Sequence, residues 1–159
     1  MKGIVFILFI VMSGAAFSAN LGLKLESVGW GYVYSNDKIK NLHAISNLKN
    51  KEQKGFVERR ISVLRPGEEL RKDQFWKRYC PKLDEQMEVK VDTRTLSCTQ
   101  KYKTENGYAY VYMFAEPRSS KKTNKSFYWN KISFFGKSEY SVPEKVLLKI
   151  RSELEKTPY

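Results

Sequence analysis

Cys80 and Cys98 are the only cysteines of the 159-residue chain, and His43 is its only histidine. These three side chains bound the sulfur, metal and acid–base chemistry open to it. Two cysteines in one domain most simply pair in an oxidising compartment. Closing that loop stabilises an unstrained fold by roughly 3 kcal/mol. Two free thiols or an intermolecular bridge are the alternatives. The pair forms no C-x-x-C redox motif, and one histidine with two separated cysteines is a poor zinc set. No metal site or cofactor is expected.

His43 is the residue type most often used as a general base near neutral pH. Its surroundings, Lys40-Asn41-Leu42-His43-Ala44, hold no acid. An exposed or partly packed helical histidine is the plainer reading. A ribonuclease-like trio would be His43 with Glu58 and Arg59, close in sequence but with nothing to bring them together in space. Nucleophile elbow, phosphate-cradling glycine loop and metal-binding helix motif are all missing. No catalytic residue is assigned.

Binding chemistry is better represented. Tyr108, Tyr110, Tyr112 and Phe114 alternate along one segment and so line one face of a strand. Aromatics beside lysine or arginine bind sugars or bases by stacking and cation–π contact. A core face beneath the C-terminal helix is the competing and commoner use of such a row. The densest basic segment, Arg118 to Lys125, carries Arg118, Lys121, Lys122 and Lys125. Loops between rigid strands often carry recognition, although a solvated hairpin tip has the same composition. Arg118, Lys121, Lys122 and Lys125 with Tyr108, Tyr110 and Tyr112 are the candidate partner-binding residues. Asn124-Lys125-Ser126 also matches the glycosylation sequon, which has meaning only in a eukaryotic secretory pathway.

The elements that must position these residues follow from periodicity. Ser27–Ser35 alternates with Val28, Trp30, Tyr32 and Tyr34 on one face, as a strand does. Ile39, Leu42, Ile45 and Leu48 recur every three residues after Asn36-Asp37, which predicts a capped helix over 39–48. Phe56–Leu64 reads as a strand. Pro66-Gly67 makes a turn, and Glu69–Tyr79 reads as a short helix that stops before Pro81. Gln86–Asp92, Thr95–Lys103, Tyr108–Ala115 and Ser126–Phe135 read as strands, with a hairpin at Asn106-Gly107. The third of these is apolar on both faces and belongs inside the sheet. Val146, Leu147, Ile150 and Leu154 form the buried stripe of a last helix that starts near Pro143. The expected fold is α+β: a mainly antiparallel sheet with a C-terminal helix and one or two further helices on one face.

The N-terminus sets the compartment. Lys2 is followed by the apolar run Ile4–Met12 and then by Ser13-Gly14-Ala15-Ala16-Phe17-Ser18-Ala19. That order is a secretory signal peptide over 1–18, cut at Ser18/Ala19 or Ala19/Asn20. The run is about half the ~20 residues a membrane-spanning helix needs. Residues 19–159 then form one basic domain with no transmembrane segment. The whole chain has 29 basic and 17 acidic side chains, a net +12. Removing the leader's one lysine leaves +11. With 42% hydrophobic residues the chain is no disordered polycation.

Such charge attracts anionic partners over long range. In the periplasm or outside the cell these are an anionic envelope component or an acidic protein; export argues against nucleic acid. The expected function is that of an exported, non-enzymatic binding protein of inhibitor, virulence or envelope-accessory type. A small secreted hydrolase of an anionic polymer and a subunit of an envelope assembly are the alternatives.

Overall fold

The computed structural model describes residues 22–35, 42–118 and 126–157. The apolar leader, Ile39, Lys121, Lys122, Asn124 and Lys125 lie outside them.

Three strands, β1 (Trp30–Ser35), β2 (Leu42–Asn47) and β3 (Lys54–Val63), form an antiparallel meander. The chain then crosses the sheet through helix α1 (Asp73–Tyr79) to its far edge. Four more strands return: β4 (Glu88–Asp92), β5 (Ser97–Thr104), β6 (Gly107–Pro117) and β7 (Ser126–Gly136). β7 lands beside β3, so the order is β1-β2-β3-β7-β6-β5-β4, antiparallel throughout. Helix α2 (Glu144–Lys156) ends the described chain. The α+β class is as expected. Among the described residues no helix is long and apolar enough to cross a membrane.

Alternation divides the sheet into two cores. One buries Ile45, Val57, Tyr112, Phe114, Ile132 and Phe134 beneath Val146, Leu147, Ile150 and Leu154 of α2. The other buries Val111, Met113, Ala115, Phe127 and Trp129 beneath Phe75 and Trp76 of α1. Since neighbouring residues of β6 and β7 point to opposite faces, the two helices cover opposite faces. This differs from the single shared face that the sequence predicts; the crossover from β3 to the far edge is what carries α1 to the other side. The double covering explains why Tyr108–Ala115 reads as apolar on both faces. Cys80, at the end of α1, is disulfide-bonded to Cys98 of β5, tying the crossover helix to its sheet.

The helix expected over 39–48 does not form at its described positions. Residues 42–47 are strand β2, paired with β1 and β3. Its inward residues are His43 and Ile45, both buried. Leu48 lies beyond the strand and is 52% exposed. The three-residue spacing of Leu42, Ile45 and Leu48 mimics a helical stripe, but pairing on both sides overrides the local pattern. The first strand is also shorter than read: Glu26–Val28 is a single 3-10 turn, and the β1–β2 register shifts between Tyr32 and Tyr34.

The β5–β6 hairpin turns where Asn106-Gly107 predicts. Gly107 has φ +137°, and a Cβ there would lie 2.2 Å from the carbonyl oxygen of Gly136. Only glycine meets both conditions.

Candidate partner-binding trough

α2 covers only part of its face. It reaches Tyr112 and Phe114, which are 8% and 0% exposed, but Tyr108 and Tyr110 remain half-buried. The tyrosine row of β6 is thus core at one end and surface at the other. Arg151 of α2 marks the boundary: it donates to the Tyr112 hydroxyl at 3.3 Å and lies 4.8 Å from the Phe114 ring.

Beyond that boundary the sheet is flanked by residues 139–142, which lead into α2. Two clefts of about 140 and 180 Å³ adjoin here and share Glu88, Lys101 and Tyr110. Register places Lys101 opposite Tyr110 and Lys103 opposite Tyr108, and sets Lys90 one strand further out, opposite Thr99. Lys101 Nζ sits 5.9 Å from the Tyr110 ring centre and donates to Ser141 Oγ at 3.5 Å. Among the described residues Lys90, Lys101 and Lys103 make no ion pair. The trough also holds Glu88 and Glu139.

Tyr140 forms the opposite wall. A Cβ at Gly136 would lie 2.6 Å from its ring, so glycine at 136 lets that ring rest on the sheet. Its hydroxyl donates to the Phe135 carbonyl at 3.4 Å. Burial pushes the Tyr140 hydroxyl up to about 12. Burial and the neighbouring Tyr112 also raise Tyr110. Both phenols are neutral at physiological pH, and the trough's positive charge comes from its lysines. Tyr140 and Gly136 were missed in the sequence; an aromatic just before Ser-Val-Pro was the one signal.

The other candidates lie elsewhere. Arg118 follows β6 at the end opposite Tyr108, roughly 30 Å away along an extended strand. Its guanidinium stacks on Tyr128 at 5.1 Å, on a ring that Arg59 also meets at 4.2 Å. Tyr112 is core.

The trio His43, Glu58 and Arg59 does not assemble. His43 and Arg59 lie on the α2 side, whereas Glu58 alternates to the other face. His43 Nδ1 is 3.1 Å from the Tyr32 hydroxyl, and burial holds the imidazole below its ordinary range. Arg59 is committed to structure. Its Nη1 donates to the Leu154 and Thr157 carbonyls at 2.6 and 2.7 Å, and its Nη2 pairs with Glu116 at 2.8 Å. Among the described residues no three His, Cys, Asp or Glu side chains are grouped as metal ligands.

No protein-family model, curated protein or solved structure matches this chain.

Proposed function

We propose that the chain is an exported, non-enzymatic binding protein whose tyrosine–lysine trough docks an acidic macromolecule. The observation that carries this is the set of Lys90, Lys101 and Lys103, without ion-pair partners among the described residues, beside the open end of an aromatic row. A lysine over a tyrosine face receives an anionic group with both charge and a flat apolar wall. The two adjoining clefts together reach only the lower end of the ~300–1,000 Å³ of small-molecule sites, and each is shallow by itself. They suit protruding acidic groups of a polymer or protein rather than a free metabolite. Export is supported by the residue order of the leader, and the Cys80–Cys98 disulfide is compatible with it. The candidate general base supports no hydrolase: it is sealed in the sheet and bonded to Tyr32.

The test is binding of poly-L-glutamate at low and high salt, by the parent chain and by Lys101→Glu/Lys103→Glu. The trough predicts saturable binding that weakens with salt and falls about tenfold, or ~1.4 kcal/mol, on charge reversal. Lys145→Glu, on the exposed side of α2, should leave most of it. Equal losses in both variants would reduce the effect to net charge and sink the trough. Export is checked separately: N-terminal sequencing of secreted material should read from Ala19 or Asn20.

A further inference from the structure

Among the described residues, nothing covers the other half of the face that carries α1. α1 has seven residues and lies over β5, β6 and β7, with Val89 of β4 at the margin of its core. Over β1, β2 and β3 on the same face lies an open groove of about 430 Å³. Val33, Ala44, Leu48 and Phe56 supply its apolar surface, and Lys51 and Lys54 stand on its lip. Val33 is 60% exposed, Leu48 52% and Phe56 39%. Phe135 of β7 extends the patch edge-to-face against Phe56, with ring centres 6.1 Å apart. Among the described residues neither lip lysine has an ion-pair partner.

We propose that this groove binds a single-chain anionic amphiphile, with its alkyl chain along the β2–β3 surface and its head group at Lys51 and Lys54. The volume falls in the range of small-molecule sites, and the lining has their character: mostly apolar, with a few polar groups at one end. Burial of each methylene is favourable, so a chain of several carbons gains most of its affinity from the floor. The lysines then select the head group. The charges disfavour the other occupants. A second copy of a chain with net +12 would bring its own Lys51 and Lys54 against these two. A bilayer is planar and does not reach the floor of a groove. This site lies on the opposite face from the tyrosine–lysine trough and is independent of it.

The test is calorimetric titration of the chain with dodecanoate below its micelle concentration. Dodecyl maltoside and butyrate serve as the neutral-head and short-chain controls. Saturable dodecanoate binding is expected, at least tenfold tighter than either control. Ala44→Trp should abolish it by filling the groove. Should that variant misfold, Lys51→Glu/Lys54→Glu changes only exposed positions and should weaken dodecanoate at least tenfold while leaving dodecyl maltoside unchanged. The proposal is overturned if dodecanoate fails to bind, or if either folded variant binds it as the parent does. It is equally overturned if phosphatidylglycerol vesicles bind and monomeric dodecanoate does not, or if sedimentation shows a dimer that Phe56→Lys dissociates.

Discussion

Arg59 and Glu116 meet at 2.8 Å inside the protein, with side chains only 3% and 15% exposed, beneath the last turn of α2. Asn130 donates to the second Glu116 oxygen at 3.1 Å. The same guanidinium donates to the carbonyls of Leu154 and Thr157, at the helix end where the dipole is negative. One arginine therefore fastens the C-terminal helix to β3 and, through Glu116, to β6. Removing one partner of a buried pair typically costs 3–5 kcal/mol, because the other charge is stranded. Urea unfolding should show such a loss for both Arg59→Met and Glu116→Leu. The double variant should lose less than the sum. Full additivity would mean the two groups do not act as a pair.

Two buried groups give the pH profile opposite slopes. Burial depresses His43, so as pH falls the unfolded chain takes up that proton first, near an ordinary value of about 6.5. The stability contributed by the neutral ring is complete above that value and is lost as pH drops toward the folded one. Glu116 is raised, chiefly by burial, with Arg59 opposing. Its contribution is complete below the ordinary carboxylate range and is lost as pH rises through the folded value. Thermal unfolding across this range should show His43→Gln flattening the near-neutral fall on acidification. Glu116→Gln should leave that fall in place. A profile for His43→Gln that parallels the parent would show that the imidazole titrates alike in the folded and unfolded chain.

The disulfide joins the end of α1 to β5 across a sequence separation of 18. Loop-entropy reasoning gives it about 3 kcal/mol. Both sulfurs also sit in the core that holds Trp76 and Trp129. Cys80→Ala/Cys98→Ala should lower unfolding stability by roughly that amount, with loss of tryptophan near-ultraviolet signal as the α1 side loosens. A variant as stable as the parent would show that packing alone holds α1 in place.

How much could be read beforehand depends on how far each strand's own neighbours decide its fate. β3, β4, β5 and β7 read as strands from their alternation, although Arg59, Gln100 and Asn130 sit among the buried residues of β3, β5 and β7, and β6 reads as one from its apolar run. The stripe Val146, Leu147, Ile150 and Leu154 is buried as its spacing requires. β2 does not read as a strand, because its inward positions include a polar His43, which breaks the alternation that marks one. The alternating set Val57, Arg59, Ile61, Val63 was correct as a face but silent about depth. Val57 and Arg59 are buried, while Ile61 and Val63 lie 47% and 64% exposed. Depth here depends on where α2 ends, and β3 carries no record of that. The trough shows the same division. The tyrosine row of β6 was visible, but its open and covered ends are set by a helix that follows β7.

Gly136 links this geometry to the trough. Its missing side chain leaves room for the Tyr140 ring, and an alanine Cβ would sit 2.6 and 2.9 Å from two ring carbons. Tyr140 lies in the non-helical segment before α2, so the ring should yield rather than the sheet. Overpacking of this kind typically costs 1–3 kcal/mol, and a displaceable ring places Gly136→Ala at about the lower end. Once swung out, the phenol loses the burial that holds it near 12 and should titrate close to an ordinary tyrosine, about 10. Tyrosinate absorbance at a pH between these values should rise by one residue in Gly136→Ala relative to the parent, and Tyr140→Phe should remove the difference. The same substitution opens the wall facing Lys101 and should weaken poly-L-glutamate binding without altering any charge. An unchanged tyrosinate signal would mean that the ring holds and the backbone gives way instead.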